Sequence, residues 1–210
     1  MKRLSDIQKF HSRLLTQEPN YYRMAGWGSV NSQRQRFDAM VRAAQFVGGS
    51  VVDFGCGPGD LLPFLQERGH KVHYLGLDQS EEMIRLATQR HGEHFAVIGL
   101  DQIDFESVDY VFGSGIFQFR GDDDGVYVSE LLAGLFSRCQ KATAVTFLSA
   151  LRPESEKVPE EMYFSPGEVV EMAQALTGFW TIDHSYHVGL GDFTVGLHKR
   201  GAGCNWVRPK

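Results

Sequence analysis

The sequence predicts an α/β protein with a doubly wound, mostly parallel sheet that is covered by helices on both faces. From residue 50 onward, short apolar runs alternate with segments whose apolar residues recur at helical spacing. Parallel strands need crossover connections, which such helices supply, so the alternation favours a parallel sheet. The last two apolar runs, residues 180–187 and 192–199, are joined only by Gly189-Leu190-Gly191, and this short joint predicts an antiparallel hairpin at the carboxyl end.

The remaining elements follow from spacing and from end signals. An amphipathic helix is predicted over residues 4–17, and an aromatic, glycine-rich loop over residues 21–28. Ser80 is predicted to be the N-cap of a helix whose first turn carries Glu81 and Glu82. The other helices are predicted over residues 32–46, 60–68, within 122–139 and over 166–177, and the strands over residues 50–54, 71–77, 95–100, 107–113, 142–148, 180–187 and 192–199.

Length and composition predict one globular domain. The chain has 210 residues, of which 42% are hydrophobic and 22% are charged, a profile typical of a soluble protein with a single core. We expect this domain to cover residues 1–200, with an amino-terminal helical lid over about residues 1–47. Residues 201–210 show little pattern, and we expect a mobile tail there.

Charge and hydropathy argue against several classes of partner. The net charge is −5 and there is no basic block, so we expect no nucleic-acid partner. No run approaches the roughly 18 apolar residues of a membrane span, and the first residues form no signal peptide, so we expect no membrane partner and a cytoplasmic location. Three scattered cysteines do not suggest a disulfide framework or a zinc site. We expect no bound metal, and either a monomer or a homodimer.

The loop after the first predicted strand is typical of a cofactor cradle. Gly55, Gly57 and Gly59 stand on alternate positions, where the backbone can turn sharply and approach a ligand. A dinucleotide-binding loop would have its third glycine at position 60, but Asp60 stands there, and the Lys-Ser/Thr pair of a phosphate loop is missing. Asp53 and Asp60 would repel a pyrophosphate. They suit a ligand with a positive charge or amine donors.

Two further acids follow neighbouring predicted strands. In parallel sheets ligands bind beyond the carboxyl ends of the strands, which is where Asp78 and Asp101 fall. Asp78 could accept hydrogen bonds from a ribose diol, and Asp101 could meet an exocyclic amine. Two alternatives stay open: Asp78 as a simple helix-capping acid, and Asp101 as an ordinary loop residue.

The combination resembles the class I S-adenosylmethionine-dependent methyltransferases of small-molecule type. The resemblance covers about residues 32–199 and rests on the segments 51–60, 75–83 and 108–115. It implies a seven-stranded sheet in the order 3-2-1-4-5-7-6. It also implies S-adenosylmethionine as the cofactor, with S-adenosylhomocysteine as its product.

The resemblance assigns roles around that cofactor. The glycine loop would cradle the methionine part, Asp78 would hold the ribose hydroxyls, Asp101 with Gln102 would meet the adenine, and residues 114–116 would line the methionine side. The complete set that we expect at the cofactor is Trp27, Arg36, Asp53, Gly55, Cys56, Gly57, Gly59, Asp60, Leu61, Asp78, Gln79, Met83, Asp101, Gln102, Ser114, Gly115 and Ile116.

The segment around Trp27 resembles the lid that many small-molecule methyltransferases place over the cofactor. The free carboxylate of the cofactor needs a cation, and Arg36 is the first candidate. The alternative for Arg36 is a solvated arginine on a helix face. Trp27, Tyr21 and Tyr22 are equally compatible with ordinary core aromatics.

The acceptor is expected to be a small acidic or zwitterionic molecule, methylated on O, N or C. We expect Tyr22, Phe117, Gln118 and Tyr163 to bind it. No catalytic residue is named, because methyl transfer is an in-line displacement that depends mainly on proximity and orientation. The segment after the fourth strand lacks the Asn/Asp-Pro-Pro-aromatic motif, which argues against methylation of DNA amino groups.

Two alternatives to methyl transfer remain at this point. The same cradle would serve an enzyme that cyclises S-adenosylmethionine or transfers its aminocarboxypropyl group. It would also serve a non-catalytic binding protein, although such a protein would have no reason to keep Gly55, Gly57, Gly59 and Asp78. A nucleotide oxidoreductase is disfavoured by Asp60.

Overall fold

The computed structural model describes residues 13–14, 16–18, 20–99, 103–121, 124–186 and 191–199. The helices are α1 (Tyr21–Met24), α2 (Val30–Ala43), α3 (Leu61–Glu67), α4 (Glu81–His91), α5 (Asp124–Ser137) and α6 (Pro166–Leu176), with one 3₁₀ turn at Glu154–Glu156. The strands are β1 (Gly49–Phe54), β2 (Val72–Asp78), β3 (Phe95–Val97), β4 (Val108–Gly113), β5 (Cys139–Ser149), β6 (Tyr163–Phe164), β7 (Trp180–Asp183) and β8 (Asp192–His198).

The strands of the described part form one sheet in the order β3-β2-β1-β4-β5-β8-β7. The first five strands run parallel, and β8 is antiparallel to both β5 and β7. The predicted fold class and strand order are confirmed, including the closing hairpin. The predicted number of seven strands misses β6, a two-residue strand that pairs with the end of β5. A strand of that length is too short to show a period in the sequence.

Two hydrophobic cores lie on opposite faces of the sheet, as expected for a doubly wound fold. Successive residues of a strand point to opposite faces, so Val51 packs with α2 and α3 while Val52 packs with α5 and α6. Val111 and Phe112 of β4 divide between the two cores in the same way. The central strands are therefore buried on both sides, which explains their nearly continuous apolar runs.

The amino-terminal region is fastened to the antiparallel end of the sheet. Thr181 on β7 donates a hydrogen bond to the carbonyl oxygen of Ala43 at 2.8 Å, and Arg42 lies 2.7 Å from Asp183. A β-carbon on Gly196 would approach that same Ala43 carbonyl oxygen to 2.2 Å. The close packing of α2 on β8 therefore fixes the position of the segment before α2. This segment lies over the carboxyl ends of β1 and β4, where Ala25 is beside Gly57 and Trp27 is beside Gly115.

Several predicted bounds were wrong for local reasons. Residues 21–24 of the predicted loop form α1. The predicted helix 32–46 begins earlier, at Val30, because Ser29 caps it by accepting from the N–H of Ser32 at 3.0 Å. The predicted strand 180–187 ends at Asp183, whose carboxylate accepts from the N–H and the hydroxyl of Ser185.

Other predictions lie largely outside the described residues. Of the predicted helix 4–17, residues 13, 14, 16 and 17 are described and are helical. The expected tail, 201–210, lies wholly outside. Among the helices that the structure describes, none has the length and apolar character needed to cross a membrane.

Candidate active site

The loop between β1 and α3 is bent by glycines and tied to the end of β2. Gly55 has a φ of +75°, a conformation that residues with a β-carbon rarely adopt. The N–H groups of Gly55 and Cys56 both donate to the carbonyl oxygen of Leu77, at 2.7 and 3.0 Å. A β-carbon on Gly55 would lie 2.5 Å from Cγ2 of Ile116. Glycine is therefore needed at residue 55 for the backbone angle and for packing.

The far side of the loop is bound to α4. A β-carbon on Gly59 would lie 2.7 Å from ring atoms of Phe95. Arg90 of α4 donates to the carbonyl oxygen of Pro58 at 2.6 Å and forms an ion pair with Asp60 at 2.7 Å. Gly59 and Asp60 thus hold the loop against its neighbours.

Asp78 fixes the near side of the loop through its carboxylate. Its Oδ2 accepts from the N–H of Gly57, and its Oδ1 accepts from the N–H of Ser80, both at 2.9 Å. The N-cap of α4 is Ser80, whose hydroxyl accepts from the N–H of Met83 at 3.3 Å. The predicted cap, Ser80, is confirmed, and Asp78 is not itself the N-cap of α4.

Asp53, on β1 just before the loop, is a buried acid. Its side chain is 4% exposed, and the hydroxyl of Tyr74 donates to its Oδ2 at 2.6 Å. Burial raises the pKa of Asp53 to about 7; the Tyr74 hydrogen bond opposes that rise, and the nearby Asp78 and Asp60 add to it. The carboxyl group therefore titrates near neutral pH.

The loop after β4 forms the opposite wall. The N–H of Gly115 donates to Oγ1 of Thr146 on β5 at 3.0 Å, and the hydroxyls of Ser114 and Thr146 lie 3.4 Å apart. These bonds place the loop at the carboxyl end of the sheet, where Ile116 packs against Gly55 and Gly113.

The segment around α2 covers the site at the carboxyl ends of the strands. The guanidinium carbon of Arg36 lies 4.7 Å from the ring centroid of Trp27, and a β-carbon on Gly115 would lie 3.2 Å from that indole. Gln33 is 5% exposed, and its Nε2 donates to Oδ2 of Asp60 at 2.9 Å. Trp27 therefore lies between an arginine and the loop after β4.

These walls enclose a first cavity at the carboxyl ends of β1, β2 and β4. Two carboxylates face it, those of Asp53 and Asp78. A buried amide oxygen, Oε1 of Gln79, has no hydrogen-bond partner in the described part of the chain. The lining residues are Ala25, Trp27, Gln33, Phe37, Asp53, Gly55, Cys56, Gly57, Pro58, Asp78, Gln79, Met83, Ser114, Gly115, Ile116, Gln118 and Phe119.

A second cavity, of about 270 Å³, adjoins the first. Trp27, Gly115 and Gln118 line both cavities and so form the boundary between them. The remaining lining residues of the second cavity are Gly26, Gly28, Ser32, Arg36, Phe117, Thr146, Phe147, Leu148, Arg152, Glu161 and Asp192.

Charged side chains distinguish the second cavity. Arg36 forms a buried ion pair with Asp192 and also donates to the carbonyl oxygen of Ser32 at 3.0 Å. Burial lowers the pKa of Arg36, and the charge of Asp192 opposes that effect. The carboxylate of Glu161 accepts from Nε2 of Gln118 at 2.8 Å and from the hydroxyl of Tyr163.

Comparison with known proteins finds similarity to methyltransferases. Residues 51–135 match the family model described as a methyltransferase domain. The structure of magnesium protoporphyrin IX methyltransferase from Synechocystis PCC 6803 with bound S-adenosylhomocysteine superimposes with a TM-score of 0.66 at 18% identity, covering 93% of this chain and 99% of that one. The chain has the class I methyltransferase fold. It confirms the fold that the family resemblance implied.

Two curated relatives match parts of this chain. A putative methyltransferase of Mycobacterium tuberculosis is 47% identical over 73 residues, which are 34% of this chain and 43% of that protein. The trans-aconitate 2-methyltransferase of Azoarcus sp. is 31% identical over 104 residues, or 47% of this chain and 39% of that protein. The matches span less than half the length of these curated relatives.

The methyltransferase fold brings most of the predicted cofactor residues together. Those that line the first cavity are Trp27, Asp53, Gly55, Cys56, Gly57, Asp78, Gln79, Met83, Ser114, Gly115 and Ile116. Their contact with a cofactor remains a prediction.

The other predicted cofactor residues lie elsewhere. Leu61 is 1% exposed in the core beneath α2, and like Gly59 and Asp60 it does not line the first cavity. Arg36 is 6% exposed and lines the second cavity, so the alternative of a solvated helix-face arginine is wrong. The two predicted adenine contacts, Asp101 and Gln102, lie outside the described residues.

The predicted acceptor residues are only partly assembled. Phe117 and Gln118 line the second cavity. Tyr163 bonds to Glu161 at its edge without lining it. Tyr22 lines a third cavity, together with Asp60.

Among the polar residues that line the two cavities, sequence reasoning missed Gln33, Thr146 and Asp192. Thr146 interrupts an apolar strand, and such a buried polar residue is a usable signal. Gln33 and Asp192 carry no local signal, because their partners are distant in the sequence.

Proposed function

We propose that this chain transfers the methyl group of S-adenosylmethionine to a small-molecule acceptor and releases S-adenosylhomocysteine. The observation that carries the proposal is the meeting of the two cavities at Trp27, Gly115 and Gln118. A donor held in the glycine-lined cavity and an acceptor held in the charged one would face each other across this boundary. Such an arrangement supplies the proximity that in-line displacement requires.

The residues of the first cavity fit this cofactor. Its positive sulfonium and ammonium groups suit a cavity faced by Asp53 and Asp78. The carboxylate of Asp78 accepts two backbone hydrogen bonds, which orient it and leave acceptor capacity for ribose hydroxyls. Oε1 of Gln79, which has no hydrogen-bond partner within the described ranges, offers a further acceptor. Gly55 keeps the loop close enough to touch a ligand.

When bound, the cofactor supplies an electrophilic methyl group. The chain's own residues position the partners and exclude water, with Trp27 covering the boundary. Among the described residues that line the two cavities there is no histidine or lysine. A general base, where the acceptor atom (O, N or C) needs one, would therefore be one of the carboxylates that line the cavities, those of Asp53, Asp78, Glu161 and Asp192.

The names of the relatives support a small acceptor. Trans-aconitate and magnesium protoporphyrin IX, which appear in the names of two similar methyltransferases, are both small molecules. The acceptor of this chain is proposed to belong to the same broad class.

Binding of S-adenosylhomocysteine tests the cofactor assignment. At a ligand concentration of about 100 times Kd, binding stabilises a protein by about 2.7 kcal/mol, which raises Tm by roughly 5 to 11 °C at this chain length. Asp78→Asn should abolish most of the shift because it removes the charge at the ribose position. Glu130→Gln, an exposed acid-to-amide change on α5, should keep it. A wild-type protein with no shift would contradict the proposal.

A further inference from the structure

Arg152 is a cation in the second cavity; its guanidinium carbon lies 6.0 Å from the ring centroid of Tyr163, and its guanidinium has no hydrogen-bond acceptor among the described residues. The residue follows β5 in a turn, where its N–H donates to the carbonyl oxygen of Ser149 at 3.1 Å. Its Nε is buried and has no hydrogen-bond partner among the described residues. Within that part of the chain, no carboxylate oxygen lies within 4.0 Å of its guanidinium nitrogens. A buried N–H donor without a partner is costly, so this position favours an acceptor from outside the chain.

The other charges of the cavity are already engaged. Arg36 forms its ion pair with Asp192. Glu161 accepts from Gln118 and from Tyr163, which orients its carboxylate. Arg152 also lies near enough to Arg36 to lower the pKa of that guanidinium. An anion bound at Arg152 would offset this repulsion.

We propose that the acceptor carries a carboxylate and that Arg152 binds this carboxylate in the second cavity. The inference rests on the proposed function, because the cavity is taken as the acceptor site. The planar guanidinium matches a carboxylate with two parallel N–H···O bonds, which a lysine cannot reproduce. The carboxylates of Glu161 and Asp192 also line the cavity and would repel a bound anion. A carboxylate group, with one negative charge, therefore suits the cavity better than a phosphate group with two.

The experiment measures binding of simple anions to the complex of the protein with S-adenosylhomocysteine. The probes are succinate, trans-aconitate, the neutral succinamide and inorganic phosphate, titrated by calorimetry. We expect succinate and trans-aconitate to bind the wild-type complex, and we expect succinamide and phosphate to bind it far more weakly. Arg152→Gln should weaken carboxylate binding by about 10- to 100-fold, and Arg152→Lys should restore it only in part.

Two controls separate this inference from the proposed function. Arg85→Gln removes an exposed arginine of α4 and should leave carboxylate binding unchanged. S-adenosylhomocysteine should bind the wild type and all three variants equally, which also shows that Arg152→Gln is folded. Equal carboxylate binding by the wild type and Arg152→Gln, no carboxylate binding by the wild type, or a preference for phosphate would overturn the inference while the cofactor assignment stands. Failure of the wild type to bind S-adenosylhomocysteine would instead overturn the proposed function on which it rests.

Discussion

Asp53→Asn should change how the stability of the unliganded protein depends on pH. Asp53 is buried, and its pKa is raised to about 7, first by burial. An aspartate in the unfolded chain titrates near 3.9. As pH rises from about 4 to 7, the unfolded chain releases this proton while the folded chain keeps it. The free energy of unfolding therefore falls across this window and levels off above pH 7.

The size of the effect follows from the two pKa values. Each pH unit between them costs about 1.4 kcal/mol. Between pH 5 and pH 8, about two of the three units lie below the folded pKa, so Asp53 should lower the free energy of unfolding by about 2 to 3 kcal/mol. Asparagine does not titrate, and its side-chain oxygen can still accept from the hydroxyl of Tyr74. The stability of Asp53→Asn relative to the wild type should therefore rise by that amount over the same range.

Urea denaturation at pH 5 and pH 8, without cofactor, measures this difference. Other groups titrate as well, so the informative quantity is the difference in the free energy of unfolding between the wild type and the variant at each pH. Asp104→Asn changes an exposed acid in the same way, and its free energy of unfolding should differ from that of the wild type by the same amount at both pH values. Parallel curves for the wild type and Asp53→Asn would show that Asp53 is already ionised in the folded protein at pH 5, and would refute the reasoning.

Two further predictions concern the walls of the site. Gly55→Ala places a β-carbon 2.5 Å from Cγ2 of Ile116 in a left-handed backbone conformation, so the free energy of unfolding should fall by about 2 to 4 kcal/mol. Adding Ile116→Ala should recover the steric part of this loss, and additive losses for the two changes would argue against the contact. Arg36→Gln breaks a buried ion pair with Asp192 and should cost about 3 to 5 kcal/mol. Arg34→Gln breaks an exposed pair and should cost less than about 1 kcal/mol, and equal costs for the two changes would contradict the burial argument.

The sequence was informative where the structure depends on neighbouring residues. Ser80 could be assigned as an N-cap because its partner, the N–H of Met83, lies three residues away. The glycine loop could be placed because a backbone that must turn sharply excludes most other residues. The alternation of strands and helices predicted the parallel sheet and its closing hairpin, whereas the strand order came from the family resemblance. The cap, the glycine loop and the alternation are local or repeating patterns, so they can be recognised in the sequence without knowledge of the tertiary structure.

The acceptor side could not be predicted because its contacts join distant parts of the chain. Arg36 was expected at the cofactor, yet it pairs with Asp192, 156 residues further on. Gln33 bonds to Asp60, 27 residues away. Neither pairing leaves a trace in local spacing or composition. Arg152, whose Nε has no partner among the described residues, and Glu161, whose carboxylate accepts two hydrogen bonds, are distinguished only by how they pack.

The fate of the methyl group tests the central claim most directly. The protein is incubated with S-adenosylmethionine labelled on the methyl carbon and with a small-molecule extract, and products are followed by mass. Methyl transfer predicts S-adenosylhomocysteine together with a labelled small molecule in equal amounts, both lost in Asp78→Asn. Formation of methylthioadenosine, or no transfer of label by a protein that binds the cofactor, would contradict it.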